Sequence, residues 1–374
     1  MAVASLLSLL LLASCAQQPP ATQSPKPPAT QAPATQVPKP TLPPQPTPTK
    51  PPGDAAKQAT PATVKVGIIG SNSDALFYIA SERGYFKTEG LATELVQFDS
   101  AARMIAPLGA GQLDVGGGSV SPGLFNAIAR GIAIKIVGDR CVFSTGRANL
   151  ALVVRKDLIE SGAIRTFADL KGKSIAINSK GTGTEIQLEK ALSLGKVGRN
   201  EVNVLEMSFP DVLTALQNKT IDAGFTVEPL VTVGTQRGIS VRWKGGDELY
   251  PNQQIGVLLY GPDFWQKRPD VAKNFMVAYL LATRDYINAF DNNRGREEII
   301  SILTRTTDIK DAATWNQLVP CGINADGYPG VPSITSDQDW YVANGYMEKK
   351  VDLAQVVDTQ FLDYAVGKLG KYSR

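Results

Sequence analysis

From Val64 onward, short apolar runs alternate with amphipathic stretches. Val64–Gly70 (VKVGIIG) reads as a strand with Lys65 turned outward. It gives way to Ser71-Asn72-Ser73 and to a helix in which Leu76, Phe77, Ile79 and Ala80 keep helical spacing behind Asp74 as cap. The same grammar repeats: a strand at 92–98, a helix at 100–110, a strand at 114–119, and a helix at 122–130 with proline in its first turn and Gly131 past its end. A short strand follows at 134–137, then an aperiodic passage at 141–149. Further strands are predicted at 150–155, 174–178, 202–207, 221–226 and 239–243, with helices at 185–194 and 210–218 between them. A return strand at 254–259 precedes a mostly helical remainder. Its longest helix, 269–290, aligns Phe275, Ala278, Ala282, Tyr286 and Ala289 on one face. Residues 321–332 read as loop, and 340–347 and 354–369 as terminal helices. Strands separated by helices predict βαβ units, parallel sheets and an α/β fold.

The amino-terminal part follows a different pattern. Residues 2–14 form an apolar run of signal-peptide length, and Leu12-Ala-Ser-Cys15 looks like a bacterial lipobox, with cleavage before Cys15 and lipid on that residue. No Lys or Arg precedes the run, so a start codon upstream is an open alternative. Residues 17–63 hold 15 of the chain's 25 prolines and no aromatic residue. Such a stretch cannot bury enough apolar surface to order itself and is expected to be an extended linker. At about 3.1 Å per residue it reaches on the order of 100 Å. The expected organisation is a signal at 1–14, a lipidated Cys15 and linker at 15–63, a first lobe at 64–149, a second at 150–250, and a return to the first at 251–374.

Composition narrows the chemistry. The 374 residues are 43% hydrophobic, which supports a large core, and the net charge of +3 with mixed signs gives no nucleic-acid footprint. The chain contains no histidine. That removes the commonest metal ligand, the commonest general base and any Ser-His or Cys-His pair. No metal or cofactor is expected. Cys141 and Cys321 are the two thiols besides Cys15; a disulfide between them and two free buried cysteines are equally open.

Several turns could hold a ligand. Ser179-Lys-Gly-Thr-Gly-Thr184 places glycines and hydroxyls at a helix start, where free N–H groups favour anions or polar groups. It lacks the Gly-Lys-Ser/Thr order of a nucleotide loop. Gly116-Gly-Gly-Ser119 follows a strand in the same way, and Glu228 stands at a strand end before Pro229, as a ligand acceptor or a helix cap. The four tryptophans read mainly as packing, and Phe77 is the aromatic best placed toward a cleft.

Five stretches together resemble the solute-binding proteins of ABC importers, in the group that binds nitrate, taurine, alkanesulfonates and thiamine precursors. They are FYIASERGYFKTEGL (77–91), PLGAGQLDVGGGSVSPGLFNAIARG (107–131), ADLKGKSIAI (168–177), FPDVLTALQNKTIDAGFTVEP (209–229) and MVAYLLATRDY (276–286). The resemblance implies a type II periplasmic-binding-protein clamshell of two α/β lobes. It also implies a monomer, anchored by lipid to the outer face of the cell membrane and serving an ABC permease and its ATPase. The implied ligand contacts are Asn72, Phe77, Ser119, Thr182, Gly183, Thr184 and Glu228. The group's enzymatic cousin, the yeast-type thiamine-pyrimidine synthase, consumes a histidine that this chain does not have. Those loops contribute only Lys180 as a cation, so the expected solute is neutral and heteroaromatic: riboflavin first, a thiamine pyrimidine next. A sulfonate, taurine or nitrate is the alternative, and an extracytoplasmic enzyme the opposing class.

Overall fold

A computed structural model describes residues 60–373; the signal, Cys15 and nearly all of the linker lie outside them. Ten strands form two five-stranded sheets. The strands are β1 (Ala62–Ile68), β2 (Leu91–Gln97), β3 (Val115–Ser119), β4 (Lys135–Val142), β5 (Leu150–Arg155), β6 (Ser174–Ile177), β7 (Asn203–Glu206), β8 (Ala223–Val227), β9 (Ser240–Gly245) and β10 (Gln254–Tyr260). The first sheet runs β2-β1-β3-β10-β4 and the second β7-β6-β8-β5-β9. Helices flank both sheets, giving an α/β clamshell of two lobes.

The sheets are mixed rather than parallel. β1 pairs in parallel with β2 and β3, whereas β10 runs antiparallel to both β3 and β4. In the second sheet β5 is antiparallel to β8 and β9. Alternation along the chain reports crossovers between neighbours, and β5 and β10 enter their sheets from the other lobe, not by a crossover. β1 also begins at Ala62, because Ala62 and Thr63 pair with Leu91 and Ala92 of β2 and the Thr63 carbonyl accepts from Arg268. The expected 100–110 helix splits into a 3-10 turn, Ala101–Met104, and a short helix, Ile105–Gly109. Pro107 accounts for this: it is tolerated in a first turn but clashes with the carbonyl four residues back in a longer helix.

Each lobe has its own core. In the first, Leu76, Phe77, Ile79 and Ala80 of the helix Ala75–Glu82 meet the long helix Pro269–Phe290, with the Phe77 and Tyr279 rings 5.7 Å apart. Leu150, Leu152, Val154, Ile175, Ile177 and Phe225 fill the second. β3 can be glycine-rich because its backbone lies against its neighbours. A Cβ on Gly117 would come within 3.0 Å of the Gly67 carbonyl, and one on Gly118 within 2.6 Å of Leu259.

The chain crosses between lobes at 143–149 and returns at 250–253. The crossings bond each other: Phe143 donates its N–H to the Gln253 carbonyl at 2.9 Å, and Asn252 donates to the Phe143 carbonyl at 2.9 Å. A third segment braces them, since Val142 donates to the Gly322 carbonyl at 2.8 Å and Cys141 is bridged to Cys321 with Cα atoms 5.5 Å apart. That bridge closes a loop of 180 residues, so it removes much freedom from the unfolded chain. Replacing Cys141 and Cys321 together by serine is expected to lower unfolding stability by about 2–4 kcal/mol, read by urea titration. An unchanged midpoint would show that the braced crossings hold without it.

Candidate functional site

Between the lobes lies a cavity of about 60 Å³. The carboxyl ends of strands and the starts of helices supply its wall, the usual place for a ligand in open α/β sheets. Ser71 and Ser73 come from the turn after β1, Gly118 and Ser119 from the end of β3, Arg140 and Cys141 from β4, and Asn149 and Leu150 from the first crossing and β5. Thr182, Gly183 and Thr184 open the helix Gly183–Gly195, and Phe209 opens the helix Phe209–Gln217. The first N–H groups of such helices have no partner within the helix. Thr182 and Thr184 hold each other through their hydroxyls at 2.8 Å, and the Thr182 hydroxyl donates to the Ser179 carbonyl at 2.7 Å. The turn is therefore set before any ligand arrives.

Arg140 is the feature that the sequence reading passes over. Its side chain is 3% exposed and, among the described residues, it is the only charged one on the wall of the cavity. One Nη donates to the Ser73 hydroxyl at 2.8 Å and to Asp74 at 3.3 Å, while the other is 3.5 Å from the Ser71 hydroxyl. Nε has no partner among the described residues. A guanidinium carries five N–H donors, so this one keeps donors in reserve. Asp74 is held by the N–H groups of Ile69 and Ser71 as well as by Arg140. Burial pushes its carboxyl up, against the pull of Arg140 and those donors. The expected strand ended at Val137; in the structure it runs to Val142 and carries Asp139 and Arg140 into the interior. The signal was there, as two adjacent charges inside an otherwise apolar run.

The seven expected ligand contacts separate into three places. Ser119, Thr182, Gly183 and Thr184 line the cavity. Asn72 and Glu228 sit beside the crossings, both 1% exposed. The Asn72 side chain accepts from Asn149 Nδ2 at 2.8 Å and donates to the Val319 carbonyl at 3.2 Å. Its N–H donates to the Glu228 carbonyl at 3.0 Å. The Glu228 carboxylate accepts from the N–H of Thr232 at 3.0 Å and of Val319 at 3.2 Å, which caps the following helix and ties it to the bracing segment. Phe77 is fully buried behind β3 against Tyr279. Of the tryptophans, none lines this cavity.

Two predictions follow from the buried polar groups. Asn72→Ala breaks contacts to both Asn149 and Val319, and should cost about 1–3 kcal/mol of unfolding stability by urea titration; a cost near zero would mean that the crossings do not depend on it. Asp139 accepts from Gln254 at 2.7 Å and from the Asn324 N–H at 2.7 Å, yet burial pushes its carboxyl up to about 7. The folded state then keeps a proton that the unfolded chain, with a carboxyl near 3.8, has released. Between those values stability falls as pH rises, by up to roughly 1.4 kcal/mol per pH unit. The melting temperature should drop from pH 5 to pH 8, and drop less in Asp139→Asn; equal slopes would place the titration elsewhere.

A model of the NMT1/THI5-like family matches residues 72–291. The taurine-binding periplasmic protein of Escherichia coli (strain K12) is 26% identical over 239 residues, 62% of this chain and 69% of that protein. Among solved structures, the alkanesulfonate-binding protein SsuA from Xanthomonas axonopodis pv. citri, bound to MOPS, superposes with a TM-score of 0.65 at 21% identity. It matches over 80% of this chain and 99% of its own. The nitrate-binding protein NrtA from Synechocystis PCC 6803 gives 0.67 at 13%, over 83% and 89%. The desulfurization enzyme DSZB shares the fold too, at 0.60 and 15%, over 82% and 99%. With the family match spanning more than half of the sequence and the same two-lobed fold around the cleft, this chain belongs to the NMT1/THI5-like family.

Proposed function

We propose that this chain is the extracytoplasmic solute-binding component of an ABC importer and that its cleft takes a small organic oxyanion, a sulfonate above all. The carrying observation is Arg140: a buried guanidinium with spare donors, alone in charge on a wall otherwise built of hydroxyls, an amide pair and apolar side chains. An anion placed there meets charge-assisted hydrogen bonds and the N-terminal ends of two helices. This supports the sulfonate alternative over riboflavin, whose neutral ring offers carbonyl acceptors but no anionic group to pair with the guanidinium. The taurine- and alkanesulfonate-binding relatives point the same way.

Capture by lobe closure about the two crossings, with no bond made or broken, is the mechanism we assign. The cavity wall offers no carboxylate pair, and Cys141 is tied up in its bridge, so the residues for hydrolysis or thiol attack do not converge there. A monomer held to the membrane by lipid on Cys15, with residues 17–63 as spacer, fits delivery to a permease and its ATPase.

Titration calorimetry with methanesulfonate, taurine, nitrate and riboflavin tests the solute. Sulfonate binding is expected, and Arg140→Lys should weaken it at least tenfold while circular dichroism stays unchanged, because lysine keeps the charge but not the planar fork of donors. Riboflavin binding without sulfonate binding would overturn the assignment, as would undiminished sulfonate affinity in Arg140→Lys.

A further inference from the structure

The lobes also meet where neither crossing joins them. The helix Gly183–Gly195 belongs to the second lobe, and its first turn presents Glu185 and Ile186 to elements of the first. Ile186 is 1% exposed and shares an apolar cluster with Ile334, Tyr341 and Met347 from the carboxyl-terminal part. Tyr346 comes from the turn after the helix Val331–Ala343 and donates its hydroxyl to Glu185 Oε2 at 2.7 Å. The two partners stand 161 positions apart, so contact between the lobes is what brings them together.

Each end of that bond is anchored in its own lobe. On the first-lobe side, Asn126 of the helix Pro122–Ala129 donates its Nδ2 to the Tyr346 carbonyl at 3.0 Å. The Trp340 ring stacks on that of Tyr346, with centroids 5.6 Å apart. On the second-lobe side, Glu185 Oε2 also accepts from the Gly181 N–H at 2.7 Å, and Arg199 stands 3.6 Å from the other oxygen. Gly181 itself lies against the first lobe, since a Cβ there would come within 2.8 Å of Pro122 Cγ. One carboxylate oxygen thus takes both the hydroxyl of the first lobe and the N–H of the turn that carries Thr182, Gly183 and Thr184 to the cavity wall.

We infer that Tyr346 is a closure latch: a positioning residue off the cavity wall that holds the turn at 179–184 against the first lobe and so sets how long a captured solute stays. The inference rests on capture by lobe closure and is independent of which solute is taken. A hydrogen bond to a carboxylate is stronger than one between neutral groups, and this one sits beside a buried apolar contact. Its loss shifts the balance of shut and open lobes by about tenfold. The bond exists only when the lobes are shut, so losing it speeds solute release and leaves capture nearly unchanged.

Tyr346→Phe removes the hydroxyl alone, leaving the ring on Trp340 and the carbonyl for Asn126. Hydrogen exchange read by mass spectrometry on the purified full chain, without solute, tests the latch. Amides of 179–187 and of 341–347 should both exchange about tenfold faster in Tyr346→Phe, with the melting temperature within about 3 °C of the parent. Glu185→Gln should give the same pattern, and joining the two substitutions should add little to either, as for two ends of one contact. Unchanged exchange at 179–187 in Tyr346→Phe overturns the latch, as does full additivity in the pair. Faster exchange spread over the whole chain with a lower melting temperature reduces the contact to ordinary packing and overturns it too. Stopped-flow Trp fluorescence with taurine and methanesulfonate adds the kinetics: Tyr346→Phe should release either about tenfold faster, with association within about twofold. An unchanged release rate overturns the latch. Failure of both probes to bind the parent chain counts against the sulfonate reading instead, and the exchange result then decides the latch by itself.

Discussion

The arrangement of the molecule depends on one pairing, the antiparallel contact of β10 with β4. Val142, where the chain leaves the first sheet, is opposite Gln254, where it comes back. Exit and return are thus side by side, and the crossings can bond to each other as they pass. A motion about them can open the lobes without unpairing either sheet. Asn72, Asn149, Glu228 and the bracing segment at 319–322 gather at the same place. Residues with the look of ligand contacts are here occupied with the geometry of the crossings, which decides how the two faces of the cleft meet.

The same pairing fixes the charge in the cleft. Running β4 on to Val142 buries Arg140, and a buried charge is costly unless it is paired and hydrogen-bonded. Asp74, Ser71 and Ser73 meet that need only in part, leaving Nε and one weakly engaged Nη. Under the sulfonate proposal, an arriving anion completes the hydrogen bonding of a group that is already desolvated and oriented, so little reorganisation is asked of the protein. Asp74 lies against the guanidinium, 3.3 Å from one Nη.

Much of this could be read from the chain. The alternation of strands and helices, the passage at 141–149, the return at Gln254 and the helix at 269–290 all follow from local periodicity, which is a property of neighbours in sequence. Strand direction does not, because β5 and β10 reach their sheets by long-range entry and no local pattern records it. The turn at 179–184 could be placed at a helix start because Thr and Gly are common there, but the same residues serve as plain caps, so the sequence left its role open. The burial of Arg140 was harder to read: the adjacent charges Asp139 and Arg140 look like a strand end, and only the partners brought from the Ser71–Asp74 turn make that burial tolerable. Asn72 and Glu228 show the reverse, since a buried amide and a strand-end carboxylate satisfy a backbone junction with the same chemistry that would satisfy a solute.

The adjacency of Val142 and Gln254 carries one more consequence. Topologically, the second lobe is an insert in a single loop of the first, and the first lobe owns both outer ends of the described chain. The first sheet would need only a short turn in place of residues 143–253 to keep all of its strand pairings. Lineages of such proteins are then free to exchange or reshape the inserted lobe, altering half of the wall that a solute meets, while the first sheet stays untouched.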